Sequence, residues 1–250
     1  MQYRTDANLA ARQSIYAYQH PPFDLPARVL DLAAPAPGEV VADVGCGNGA
    51  YLAGLASRGF AGRVIGADLS AGMLAAARQR ARAALVVADA DALPLRDGAT
   101  DLTLACHMLY HVPDPAAAVR ELRRVTRPGG RVVVVLNGAD HLTELKALIT
   151  ATDGPDAQPP GERLRLDAGE ALLRTVFSSV IRHDFRGELR VPGTEPIAAY
   201  VRSMNRAQAS ADPEPLIEAV LSRIPNGPSI PNGGGGLFRV TTHAGCLVCG

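Results

Sequence analysis

The 250-residue sequence has no tryptophan, a single lysine and only 4% aromatic residues. It also lacks net charge, with 25 basic residues set against 25 acidic ones. Without a basic excess there is no electrostatic footprint of a general nucleic-acid binder, so no nucleic-acid partner is expected. No apolar run approaches the ~18 residues of a membrane-spanning helix, and none is expected to engage a membrane. The opening stretch MQYRTDANLAARQS lacks the apolar segment of a secretory signal, which makes the cytoplasm the expected compartment. Cys46, Cys106, Cys246 and Cys249 are the only cysteines, too few and too irregular for a disulfide framework, and read as free thiols. All basic residues but Lys146 are arginine. Beside so much alanine, glycine and proline this reads as coding bias, and it gives the arginines no collective function.

What the sequence does have is 47% apolar residues, enough to bury a full core. Its organising stretch is EVVADVGCGNGA at 39–50, a short β-branched run followed by glycines at 45, 47 and 49 and then a helix start. Such a turn needs residues that tolerate positive φ and leaves bare backbone open to a ligand at a helix N-terminus. Asp43 lies inside the strand, where a carboxylate is costly unless something polar or cationic uses it. The glycines alone fit a dinucleotide fingerprint equally well, with Ala50 as the last small residue.

Around this stretch the pattern alternates. Helices are predicted at 5–19 and 24–34, strands at 63–70 and 85–94 with a helix at 71–83 between them, and a strand over 101–112 that breaks after Ala105 or Cys106. A helix from Pro115 to Val125 leads into the apolar strand of RPGGRVVVVLN. Beyond Asn137 come the helix HLTELKALITA, a Pro/Gly-rich loop at 152–162, a helix at 167–176 and strands near 179–185 and at ELRVP. Two further helices around 195–208 and 213–223, a polar glycine tract and a final strand LFRVTTHAG complete the chain. Continuous apolar strands alternating with helices argue for a parallel sheet covered on both faces.

Asp43, Asp68 and Asp89 end the first three of these strands, and in a doubly wound sheet those ends line one crevice. Asp68 follows the glycine turn by about 20 residues, the separation at which a carboxylate meets a ribose diol. Asp89 could accept from an adenine amino group while the Ala90 amide donates to the ring. No phosphate-binding loop with lysine accompanies them, so the site reads as one for an adenosine without phosphates.

VADVGCGNGAYL, GADLSAGML, VVADADALPL with DGATDL, HMLYHVPD and ELRRVTRPGGRVVVV together resemble the class I S-adenosylmethionine-dependent methyltransferases over about 39–136. The likeness is greatest to the small-molecule branch containing the ubiquinone and menaquinone C-methyltransferases. It implies an α/β fold with a Rossmann-like, doubly wound, mostly parallel seven-stranded sheet and an inserted lid. The corresponding units are a helical cap at 1–38, a cofactor-binding core at 39–185, a lid at 186–234 and a returning strand at 235–250. By resemblance, Gly45, Cys46, Gly47 and Gly49 pass along the methionine part of S-adenosylmethionine, and Asp43 fixes the turn or the methionine ammonium. Asp68 holds the ribose, Leu69 and Met73 flank the adenine, Asp89 and Ala90 read its edge, and Cys106 faces the methionine end through its backbone. The acceptor is expected to be a small molecule methylated on O, N or C.

His107 and His111 are the candidate general bases, with His107 first because it is the less generic of the two, and Tyr110 is a polar helper. Arg12 or Tyr16 is placed to close the site, and Tyr3, Tyr18 and His20 are further aromatic candidates for its roof. His243, Cys246 and Cys249 have a metal-like spacing, but residues three apart on a strand face opposite ways, so no metal is expected. Two other readings of the chain stay open: a nicotinamide-dependent oxidoreductase, and a methyltransferase fold that uses its cofactor only for binding or structure.

Overall fold

The computed structural model describes residues 6–153, 164–204, 207, 212–224 and 237–250. The chain begins with α1 (Asp6–Ser14), a 3-10 turn (Ile15–Tyr18) and β1 (Gln19–His20), then α2 (Leu25–Ala33). Asp24 caps α2 by accepting from Ala27 N at 3.0 Å. β2 (Val40–Val44), α3 (Ala50–Ser57), β3 (Arg63–Asp68), α4 (Ala71–Arg80) and β4 (Ala84–Val87) follow. Next come β5 (Thr100–Cys106), α5 (Pro115–Val125) and β6 (Thr126–Asn137). The remainder is α6 (Thr143–Asp153), α7 (Leu166–Arg174), β7 (Val180–Pro192), α8 (Glu195–Arg202), α9 (Glu214–Leu221) and β8 (Leu237–Cys249).

The strands form one sheet in the order β1-β7-β8-β6-β5-β2-β3-β4. From β6 to β4 every neighbouring pair is parallel, while β8 runs antiparallel to both β6 and β7. The sheet has eight strands where the sequence predicts seven. The addition is β1, which pairs antiparallel with β7 and falls within the stretch read as one long helix. Pro21 disfavours helical backbone at His20, so the chain leaves the helix before reaching it. The strands predicted near 179–185 and at 188–192 are one continuous strand, β7.

Alternation along β6 divides the core. Val132, Val134 and Leu136 face α5 and α7, whereas Val133 and Val135 face α2 and α3. Cys246 packs with the second set and Cys249 with the first, so the two thiols lie on opposite faces of the sheet. A separate apolar cluster joins α6, α8 and α9 to β7 and anchors Ile15 of the N-terminal segment. Among the described residues no helix is long and apolar enough to cross a membrane.

Candidate functional site

The parallel strands bring the three aspartates to one rim. Asp43 of β2 is level with Gly66 of β3, Asp68 of β3 is level with Val87, and Asp89 follows just beyond the end of β4. The glycine turn hangs from the tip of β3: the Gly45 and Cys46 amides both donate to the Ala67 carbonyl, at 2.7 and 3.0 Å. Asp68 fastens it further, accepting from Gly47 N at 2.9 Å and from Ser70 N at 2.8 Å.

All three glycines have positive φ, at +70° for Gly45, +54° for Gly47 and +81° for Gly49. A methyl group on Gly45 would lie 2.6 Å from Met108 Cβ, and one on Gly49 would lie 3.0 Å from the Ala77 backbone. At Gly47 the nearest atom would be Leu9 Cδ2 of α1, at 3.5 Å. The first and third glycines are therefore dictated by packing, and the middle one faces the gap beneath α1.

Asp43 is 1% exposed, and its Oδ2 has no hydrogen-bond partner, the one such buried side-chain atom among the described residues. Burial, and then the negative charge of Asp68, push its carboxyl up to about 8. A carboxyl in this state lacks a donor or a cation, which the ammonium and sulfonium of S-adenosylmethionine would provide. The unpartnered oxygen therefore fits that cofactor. Cys46 turns its side chain into a cluster with Leu52, Leu74 and Ala77, where its thiol donates weakly to the Gly47 carbonyl at 3.9 Å. Cys106 is buried as well, and desolvation pushes its thiol up. On the adenine side, Leu69 is 51% exposed and Met73 is buried. Asp89 is exposed and Ala90 buried.

Just beyond β5, His107 has a φ of +57°, rare for a residue with a side chain, and its backbone N–H donates a hydrogen bond to Val135 O at 2.9 Å. Tyr110 lies 6.4 Å from the His107 ring and 4.5 Å, edge-on, from His111, so the three expected residues form one group. Desolvation and the neighbouring His111 lower His107 to about 4. Desolvation, followed by the Arg12 guanidinium, lowers His111 to about 4 as well.

His141, just past β6, is a site residue that the sequence reading passed over. It is buried; its Nδ1 accepts from the His243 amide at 3.1 Å, and its Nε2 lies 2.9 Å from Tyr16 Oη. A backbone N–H can only donate, so the proton of neutral His141 sits on Nε2 and is donated to Tyr16. Burial, with the nearby His107 as the next cause, lowers His141 to about 3. Its signal was positional, a histidine at the carboxyl end of the fifth predicted strand, but the sequence reading treated that segment as helix. Arg12 bonds to Ser203 Oγ and O, both at 3.3 Å.

The other candidates lie elsewhere. His243 is held between Asp140 at 2.5 Å and Asp184 at 2.6 Å. Among the described residues no group of three His, Cys, Asp or Glu side chains is placed to hold a metal ion. Tyr18 packs against the α6–α8–α9 cluster and His20 is exposed on β1. Tyr3 and the Gly233–Gly236 run lie outside the described residues.

The methyltransferase domain family matches residues 42–134. The malonyl-acyl-carrier-protein O-methyltransferase of Serratia marcescens is 37% identical over 182 residues, covering 72% of this chain and 68% of that protein. The demethylmenaquinone methyltransferase of Beutenbergia cavernae is 42% identical over 106 residues, covering 42% of this chain and 43% of that one. The chain spans about half the length of several curated relatives it matches. In three dimensions, a Bacillus halodurans protein assigned as a methyltransferase superposes with a TM-score of 0.63 at 18% identity, covering 90% of this chain and 97% of its own.

Proposed function

The chain belongs to the class I S-adenosylmethionine-dependent methyltransferases, and from that premise we propose that it methylates an O, N or C atom of a small-molecule acceptor. The observation that carries the proposal is the unpartnered, buried Asp43 oxygen at the head of the glycine turn. In this reading Asp43 ionises against the methionine ammonium, and the backbone of Gly45, Cys46, Gly47, Gly49 and Cys106 lines the methionine portion. Asp68 keeps Gly47 and Ser70 in place with one lone pair on each oxygen and offers the others to the ribose hydroxyls. Leu69 and Met73 enclose the adenine, while Asp89 and the Ala90 amide read its edge.

The bound cofactor supplies a methyl group on a positively charged sulfur, which leaves as a neutral thioether. What remains for the protein is to align the acceptor and exclude water. His107 and His111 are neutral near pH 7 with their protonation held down to about 4. Such rings are weak bases, so their proposed work, with Tyr110, is to orient the acceptor by hydrogen bonds, taking a proton only from an acidic nucleophile. The Tyr16–His141 pair forms the roof from the cap side. The nicotinamide reading loses to the cofactor that the family uses.

The malonyl group named for the Serratia relative and the demethylmenaquinone named for the Beutenbergia relative are the acceptor classes to assay first. Release of S-adenosylhomocysteine is expected to depend on the acceptor. The rate should show no histidine titration near ~6.5, where free imidazole changes charge. A break there that disappears in His107→Gln would overturn the neutral-histidine role. Cofactor binding without turnover on any acceptor would favour the non-catalytic reading.

A further inference from the structure

The opposite rim of the sheet carries a second feature. At the amino ends of β2, β3 and β4 lies an open cleft of ≈ 970 Å³. Its floor is aliphatic and half-buried, with Val40, Val64, Ile65 and Leu95, and Arg63, Arg78, Arg82 and Arg96 stand exposed around it. No acidic residue lines it. The carboxylates nearest in sequence are committed elsewhere: Glu39 to Arg131, Asp97 to Arg124 and Asp101 to Arg127. Among the described residues five arginines have no hydrogen-bond or ion-pair partner, and four of them are the arginines of this cleft, Arg120 being the other. In a chain with no net charge, uncompensated positive charge is thus gathered at one place.

We propose that this cleft is a docking groove for an acidic, amphipathic helix of a partner protein. Carboxylates on such a helix complement the four guanidiniums, and its apolar stripe covers the aliphatic floor. Exposed ion pairs are individually weak, so the charges steer and orient while the floor supplies the remaining attraction. The lining contains no aromatic ring on which a nucleobase could stack, which sets the groove apart from a nucleotide or single-stranded nucleic-acid site. Strands of this length separate the two rims by roughly 15–20 Å, so a docked helix leaves the cofactor site free. The inference does not rest on the proposed methyl transfer.

The probe is a fluorescent helical peptide of about five turns with glutamate on one face and leucine on the other, titrated into the 250-residue chain at low salt and followed by anisotropy. Saturable binding is expected, weakened about tenfold or more by ~0.25 M salt and to a similar degree by the double variant Arg63→Glu, Arg82→Glu. Leu95→Ser, which leaves the charge of the cleft unchanged, should weaken it through the floor alone. Unchanged binding of S-adenosylhomocysteine shows that the variants fold, and Arg63→Gln with Arg82→Gln serves if charge reversal impairs folding. Equal affinity of wild type and arginine variants would overturn the proposal. So would equally tight binding of a scrambled peptide without an apolar face, or of sodium tripolyphosphate, since either would show that the groove selects charge alone.

Discussion

Asp43 carries the sharpest consequence at the residue scale. Its carboxyl, raised to about 8 by burial and by Asp68, is protonated at neutral pH in the free protein. Holding a cation requires the ionised form. Below that value binding therefore loses affinity as pH falls, by about 1.4 kcal/mol per unit. Affinity for S-adenosylhomocysteine, which retains the methionine ammonium, is predicted to rise between pH 6 and 8 and then level off. Asp43→Asn should weaken binding by about 1.5–3 kcal/mol, the range for a hydrogen bond to a charged group, and flatten the pH dependence. Calorimetric titration at several pH values reads both, and an Asn variant with wild-type affinity and slope would remove Asp43 from the site. The peculiarity of Asp43 was legible from sequence, because a carboxylate inside an apolar strand is conspicuous. The double duty of Asp68 was not, since its bonds to Gly47 and Ser70 depend on how the turn folds back on β3. Asp68→Asn keeps one of these two acceptors and Asp68→Ala keeps neither, so both variants loosen the turn as well as the ribose contact, the alanine more.

At the scale of elements, the strand–turn–helix unit makes a contrast between two glycines. Gly45 and Gly59 both have positive φ, but a methyl on Gly45 meets Met108 at 2.6 Å while one on Gly59 meets nothing within 4 Å. Gly45→Ala combines strain with overpacking and is predicted to cost about 2–4 kcal/mol, against about 1 kcal/mol for Gly59→Ala. Urea unfolding of the two variants compares them, and equal losses would mean that Met108 moves aside without cost. The β2-to-β6 core was readable because its strands are uninterrupted apolar runs whose ends carry glycine, proline or a cap. β7 was read as two pieces because Gly187 sits in its interior, and glycine usually marks a break there. The fold uses that glycine for a close approach, since a methyl at Gly187 would lie 3.0 Å from the His20 carbonyl oxygen of β1. β1 was missed for a related reason: two residues of edge strand leave no periodicity to detect.

At the scale of the whole molecule, the shifted groups set the pH at which the free protein is most stable. His107, His111 and His141 are held at about 4, 4 and 3 in the folded state, all below the ordinary imidazole value of 6.5. Between pH 4 and ~6.5 the unfolded chain therefore binds these protons and the folded one does not, so stability falls as pH drops. Asp43 acts oppositely: the folded state keeps its proton up to about 8, so stability falls as pH rises toward that value. Even without His111, whose side chain is exposed, His107 and His141 outweigh Asp43 on the acid side, and a maximum near pH ~6.5 is predicted from denaturant unfolding at a series of pH values. Cofactor, by ionising Asp43, should remove the decline on the alkaline side. Stability that rises steadily from pH 4 to 8 without cofactor would contradict these assignments. The α/β class was visible in sequence order, and so was the gathering of the three aspartates at one rim, since each lies at or beside the carboxyl end of its own strand. The pairing of Tyr16 with His141, within the electrostatic reach of His107, was not, because it joins segments far apart in the chain.

Calorimetric titration of the 250-residue chain at neutral pH with S-adenosylmethionine, S-adenosylhomocysteine and NAD tests the central claim most directly: that Asp43, Asp68 and Asp89 present one rim to an adenosyl cation without phosphates. Both sulfur ligands are predicted to bind stoichiometrically and NAD not at all, with Asp68→Asn weakening the sulfur ligands by about 1.5–3 kcal/mol. Binding of NAD with indifference to the sulfur compounds, or wild-type affinity in both Asp43→Asn and Asp68→Asn, would contradict it.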